Sequence, residues 1–156
     1  MKSDETPAPR SLSDEDYRTL AGFRRQLRRY LAAVTENARQ AGLTHHQHQA
    51  LLAIRGEYPE RREVTVGELA GNLLIKHHSA VELVARLEQA GLVRRDRDPE
   101  NRRRALVSIT PGGEDVLERL AEASFRELRA FSGVMGDLVR RLTEFESSNE
   151  PSAEGS

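Results

Sequence analysis

The chain has 156 residues, a formal net charge of −1, no cysteine, and 31% charged against 37% hydrophobic residues. That length is one domain's worth of chain, and the lack of cysteine excludes disulfide frameworks, thiolate metal sites and cysteine nucleophiles. No apolar run approaches the roughly 20 residues of a membrane span, and the N-terminal MKSDETPAPRSLSDED lacks a signal-like apolar stretch, so a cytoplasmic protein with no membrane partner is expected.

Near-neutrality conceals an uneven distribution. Of the 24 basic residues all but Lys2 and Lys76 are arginine. Residues 17–41 hold six Arg against one Glu, residues 76–104 hold eight bases against five acids, and residues 142–156 hold four Glu and no base. A basic face therefore hides in the neutral total, and arginine suits planar contacts to phosphate or guanine.

In chain order, 1–11 reads as a disordered tail. Ser13 with Asp16 caps a long amphipathic helix carrying Leu20, Phe23, Leu27, Leu31, Val34 and Ala38, which Gly42 ends. Thr44 with Gln47 caps a second helix with Ala50, Leu51 and Ile54, stopped by Gly56 and Pro59; EYPERREV follows as a loop. Thr65 with Glu68 opens a short helix, and after Leu74-Ile75-Lys76 another starts near His77, buries Ala80, Leu83, Val84 and Leu87, and stops at Gly91. Two runs, 92–95 and 105–109, flank a turn at Asp98-Pro99-Glu100-Asn101 and predict a β-hairpin with a charged tip. Thr110-Pro111 begins a helix through Phe131, and Leu138, Leu142 and Phe145 predict one further helix before an acidic, disordered tail at 147–156.

The expected fold is mainly α with a small β-hairpin wing: a single folded domain over 12–146, with a winged helix-turn-helix lobe at 44–110 and helices at 12–43 and 111–146. Such a lobe suits duplex DNA. The second helix of the motif can enter a major groove about 12 Å wide, and the hairpin tip can reach phosphates or the minor groove. The buried set on that helix leaves Lys76, His77, His78, Ser79, Glu82 and Arg86 on or near its free face, and the wing offers Arg97, Arg102, Arg103 and Arg104.

The segments LAGNLLIKHHSAVELVARLEQAGLVRR and DRDPENRRRALVSITPGGEDVL resemble the MarR family of bacterial winged-helix regulators. The resemblance rests on Leu69-Ala70, on the Leu87-Glu88 to Gly91-Leu92-Val93 junction, on the Arg-rich wing, and on Val107, Ile109, Thr110 and Gly113 at its exit. It implies a homodimer built by the N- and C-terminal helices, through Leu20, Phe23, Leu27, Leu138, Leu142 and Phe145. It also implies a repressor on a pseudo-palindromic double-stranded operator, released by a small aromatic effector. Asn101 stands where the family has aspartate and would hydrogen-bond the wing arginine without the charge. Glu82 replaces the family's usual donor, and is suited to cytosine N4 or else repels phosphate.

Two other readings compete: an effector-independent architectural or partner-binding DNA protein, and a metal-responsive regulator using His45, His46 and His48. A capping or pocket-lining role is the simpler account of those histidines, and no cofactor or resident metal is expected. No motif arranges Ser, His and Asp for catalysis, so no enzyme and no catalytic residue is expected. Arg24, Arg25, Arg28 and Arg29 read as a solvent-facing stripe, and Phe23, Tyr30 and Phe131 as core or interface.

Overall fold

The computed structural model describes residues 11–147 as two compact units. One comprises residues 31–127; the described part of the other is 11–30 with 128–147. The elements are α1 (Asp14–Gln40), α2 (His45–Gly56), β1 (Val64–Thr65), α3 (Val66–Leu73), α4 (His77–Gln89), β2 (Val93–Arg97), β3 (Ala105–Ile109) and α5 (Pro111–Ser147). The tails expected at 1–11 and 147–156 lie outside the described residues except at Ser11 and Ser147, the latter still helical.

Local chemistry fixes the helix ends. All three capping boxes form: Ser13 with Asp16, Thr44 with Gln47, and Thr65 with Glu68. Each satisfies two backbone N–H groups that a helix start leaves unpaired. The Arg61 guanidinium (2.8 Å) and the Thr65 amide (2.7 Å) together hold the Glu68 carboxyl at about 2. α1 and α4 end on Gly42 (φ +78°) and Gly91 (φ +71°), with Leu43 and Leu92 amides reaching back to the carbonyls of Ala38 (2.9 Å) and Leu87 (3.0 Å). α3 ends the same way, the Ile75 amide bonding the Ala70 carbonyl at 3.1 Å, but with Leu74 in the left-handed position at φ 55°.

Ala80, Leu83, Val84 and Leu87 repeat at helical spacing and are the buried face of α4. They join Leu51, Ile54, Leu69, Val64 and Val107 in the core of the larger unit. Burying side chains of this size stabilises by about 1.5–3 kcal/mol each. The sheet has the order β1-β3-β2, antiparallel throughout, with Val93 opposite Ile109 and Arg97 opposite Ala105. Val64 lies opposite Val107, so the segment expected as plain loop ends in a third strand. Two residues are too short for an alternating pattern to register; pairing with β3 and burial of Val64 create the strand.

A second correction concerns the C-terminal region. The two helices expected there are one, α5, unbroken from Pro111 to Ser147. Gly133 and Gly136 fall inside it, but no proline follows Pro111 at its first position. Glycine weakens a helix by about 1 kcal/mol without removing a hydrogen bond, whereas proline removes one. At its start Thr110 accepts from the Gly113 amide (3.1 Å) and donates to the Gly91 carbonyl (2.6 Å), tying the hairpin exit to the α4 exit. Gly113 is required there by space: a Cβ would lie 2.1 Å from the Leu92 carbonyl oxygen.

In the smaller unit Phe23 and Tyr30 stack on Phe131, ring centres 5.7 and 6.5 Å away. Arg141, half-buried, bonds Asp16, Ser13 and Glu144. The Ser13 amide and hydroxyl, with Arg141, hold the Asp16 carboxyl at about 2.

Candidate nucleic-acid interface

α3, the turn through Leu74, Ile75 and Lys76, and α4 form a helix-turn-helix, and β2 and β3 follow at once as the wing. The register of α4 follows from its apolar set: with 80, 83, 84 and 87 inward, the opposite stripe must be polar. Lys76, at the N-cap, is exposed, as are His77, His78, Glu82 and Arg86; Ser79 is half-buried. None of these six side chains has a hydrogen-bonding or ionic partner among the described residues. Unpaired donors and acceptors on an exposed helix face are free to meet base edges or phosphate.

Two hollows flank α4. One, of about 290 Å³, lies between the start of α3, His77 and Val81 of α4, and Arg95, Arg103 and Arg104 of the wing. The other, of about 370 Å³, lies between Thr44 and His46 at the start of α2 and Ser79, Glu82 and Arg86 of α4. Of the expected DNA-facing residues, His77, Arg103 and Arg104 come together around the first hollow, while Ser79, Glu82 and Arg86 line the second.

The wing places Arg97 at the end of β2 and Arg102, Arg103 and Arg104 at the tip, all exposed. Asn101 does not reach a guanidinium, as the sequence suggested. Its side-chain oxygen accepts from the Arg103 backbone amide (3.1 Å) and its carbonyl from the Arg104 amide (2.8 Å). At the tip the acid that holds an arginine is Asp98, which takes Arg104 at 2.9 Å. Sequence reading treated Asp98 only as a turn former, because Asp-Pro signals a turn and nothing local shows which arginine the fold will bring back to it.

Of the residues expected at a subunit interface, Leu20, Leu138, Leu142 and Phe145 surround one apolar hollow of about 180 Å³ with Leu12 and Arg141. Phe23 and Leu27 are half-buried, Phe23 against Phe131. Tyr17, Met135 and Val139 are further exposed apolar side chains of this unit that periodicity did not single out. Arg24, Arg25, Arg28 and Arg29 are exposed.

His45 shares a hydrogen bond with the Thr35 hydroxyl (3.1 Å), whereas His48 is buried. Desolvation, reinforced by the His45 charge, pushes the His48 imidazole below its ordinary 6.5. Among the described residues no three His, Cys, Asp or Glu side chains are arranged to hold a metal ion.

Comparison with known proteins places this geometry. A MarR family profile matches residues 41–104, from the end of α1 to the wing tip. A putative transcriptional regulatory protein for the hcr operon of Thauera aromatica is 36% identical over 72 residues, 46% of this chain and 43% of that protein. The chain spans less than half the length of the curated relatives it matches. Among solved structures, Sco3205 of Streptomyces coelicolor, a MarR family transcriptional regulator in complex with DNA, superposes with a TM-score of 0.62 at 26% identity, over 95% of this chain and 96% of that one. NadR in complex with 4-hydroxyphenylacetate gives 0.62 at 19% identity, over 96% and 100%. The helix-turn-helix and most of the wing fall within the segment that the MarR family profile matches, and the chain has the fold of solved MarR family transcriptional regulators.

Proposed function

We propose that the protein is a homodimeric, ligand-responsive repressor that binds a pseudo-palindromic operator, with α4 in the major groove and the wing tip on the flanking minor groove. The observation that carries this reading is the polar face of α4, unpaired among the described residues, beside a wing whose Arg97, Arg102 and Arg103 are likewise without a side-chain partner there. Sco3205, similar over nearly its whole length, is described in complex with DNA. Effector response is supported by NadR, described in complex with 4-hydroxyphenylacetate, and the homodimer by the exposed apolar Leu20, Leu142 and Phe145.

The test is binding of the purified protein to labelled duplexes tiled across the DNA upstream of its own gene, against mixed-sequence competitor. One duplex should be preferred by at least about 10³-fold, the low end of specific recognition. Uniform binding to every tile would refute sequence-specific regulation and favour an architectural role. Adding 4-hydroxyphenylacetate and related aromatic acids to the preferred complex should release DNA; no release by any of them removes the ligand-responsive part of the reading.

A further inference from the structure

The hairpin's arginines divide by their partners. Arg94 pairs with Asp96 (2.7 Å), Arg95 with Glu88 of α4 (2.6 Å) and Arg104 with Asp98 (2.9 Å). Arg97, Arg102 and Arg103 have no side-chain partner among the described residues. Asp98 is unusual in this company: it is a carboxylate only 5% exposed on an otherwise solvated hairpin. It accepts from the Glu100 amide (2.9 Å) and from Nε (3.1 Å) and Nη2 (2.9 Å) of Arg104, while its own amide donates to the Arg104 carbonyl (3.1 Å). Inside that closure Asn101 holds the Arg103 and Arg104 amides. The tip between 98 and 104 is therefore tied at its base and in its middle, and Arg102 and Arg103 stand out from it.

We propose that Asp98 and Arg104 form a positioning pair that presets Arg102 and Arg103 for DNA, contributing to affinity without touching phosphate. The inference rests on the DNA-binding reading above. Fixing the tip before association removes an ordering cost that a loose loop would meet on binding. It also reverses an elementary expectation. Removing a negative charge from a DNA-facing hairpin should strengthen binding by Coulomb attraction; removing the carboxylate of a positioning pair should weaken it.

Affinity for one fluorescein-labelled mixed-sequence duplex is measured across a salt series for the wild-type chain and for Asp98→Asn, Arg104→Ala, Arg104→Lys and Arg103→Ala. Thermal melting checks that each variant is folded. Asp98→Asn and Arg104→Ala should each weaken binding about tenfold with the log–log salt slope nearly unchanged, Arg104→Lys should recover part of the loss, and Arg103→Ala should lower the slope. The proposal is overturned if Asp98→Asn binds as tightly as wild type or tighter, or if Arg104→Ala lowers the slope as much as Arg103→Ala. Should Asp98→Asn fail to fold, the two Arg104 variants make the same decision. A wild-type chain that binds no duplex removes the DNA-binding reading itself, and the pair's role with it; loss confined to the variants concerns the pair alone.

Discussion

At the scale of single residues, two backbone positions with opposite needs make the sharpest predictions. Gly113 sits where a Cβ would overlap the Leu92 carbonyl oxygen at 2.1 Å and the Ile109 side chain at 2.8 Å. The first of these is backbone and cannot rotate away. Gly113→Ala should therefore destabilise the larger unit by about 3 kcal/mol, near the upper end for overpacking, and urea denaturation would show it as a lowered midpoint. Leu74 has the reverse problem. It is 93% exposed, so its side chain gains little from burial, yet it occupies a left-handed conformation at φ 55°. That conformation costs an L-residue about 1–2 kcal/mol, and glycine's greater freedom in the unfolded chain returns part of the gain. Leu74→Gly should raise stability by roughly 0.5–1 kcal/mol in the same measurement. A third residue gives a pH dependence. His48 is 6% exposed and titrates below 6.5 because burial disfavours its charged form. In the unfolded chain it protonates first as pH falls, so its contribution is complete above about 6.5 and is lost as pH drops below that value. Stability to denaturant should fall between about pH 7.5 and 5.5, and His48→Gln should flatten that part of the profile.

At the scale of elements, α4 and the wing are expected to do different work, and salt separates them. His78 and Glu82 project from α4 without partners among the described residues, so their removal should alter preference among operator variants. The expected loss is about 1–3 kcal/mol for each base contact, with nonspecific affinity nearly constant. Arg103 sits at the tip, and on the proposed reading its attraction is to phosphate or to the negative potential of a narrow minor groove. Arg103→Ala should make the salt dependence shallower by roughly 0.9 in log–log slope per lost phosphate contact, about twice that for a symmetric dimer. A minor-groove seat adds dependence on A·T-rich flanks; a phosphate contact alone weakens all flanks equally. Competition binding over a small panel of flanks distinguishes these outcomes, and unchanged slope and affinity would leave the wing a solvated hairpin.

At the scale of the whole molecule, the smaller unit leaves Leu20, Leu142 and Phe145 45%, 54% and 39% exposed around an apolar hollow. Single exposed apolar residues are ordinary, but a cluster of large ones on paired helices marks an association surface. A two-fold dimer uses the same patch twice, so one substitution acts at two places. Light scattering should give the dimer mass at micromolar concentration. Replacing Leu142 and Phe145 together by Glu should give a monomer with weakened operator binding, because two half-sites are then no longer engaged at once.

Periodicity and punctuation in the sequence determined much of this protein. The four inward residues of α4, the three capping boxes and the stops at Gly42 and Gly91 are local matters, decided within about four residues of each other, and so they are legible in one dimension. The polar face of α4 follows from the same pattern, since fixing which residues are buried fixes which are not. The tertiary structure decided what depends on distant partners. β1 exists because β3 offers Val64 an edge and a place in the core. α5 continues past 133–136 because nothing there removes a backbone hydrogen bond. Arg104 is tied, and Arg103 has no side-chain partner among the described residues, because hairpin closure returns the chain to Asp98 at one position and not at the one before it. Residue type sets what a side chain can bond; only the closed fold sets which partner is within 3 Å.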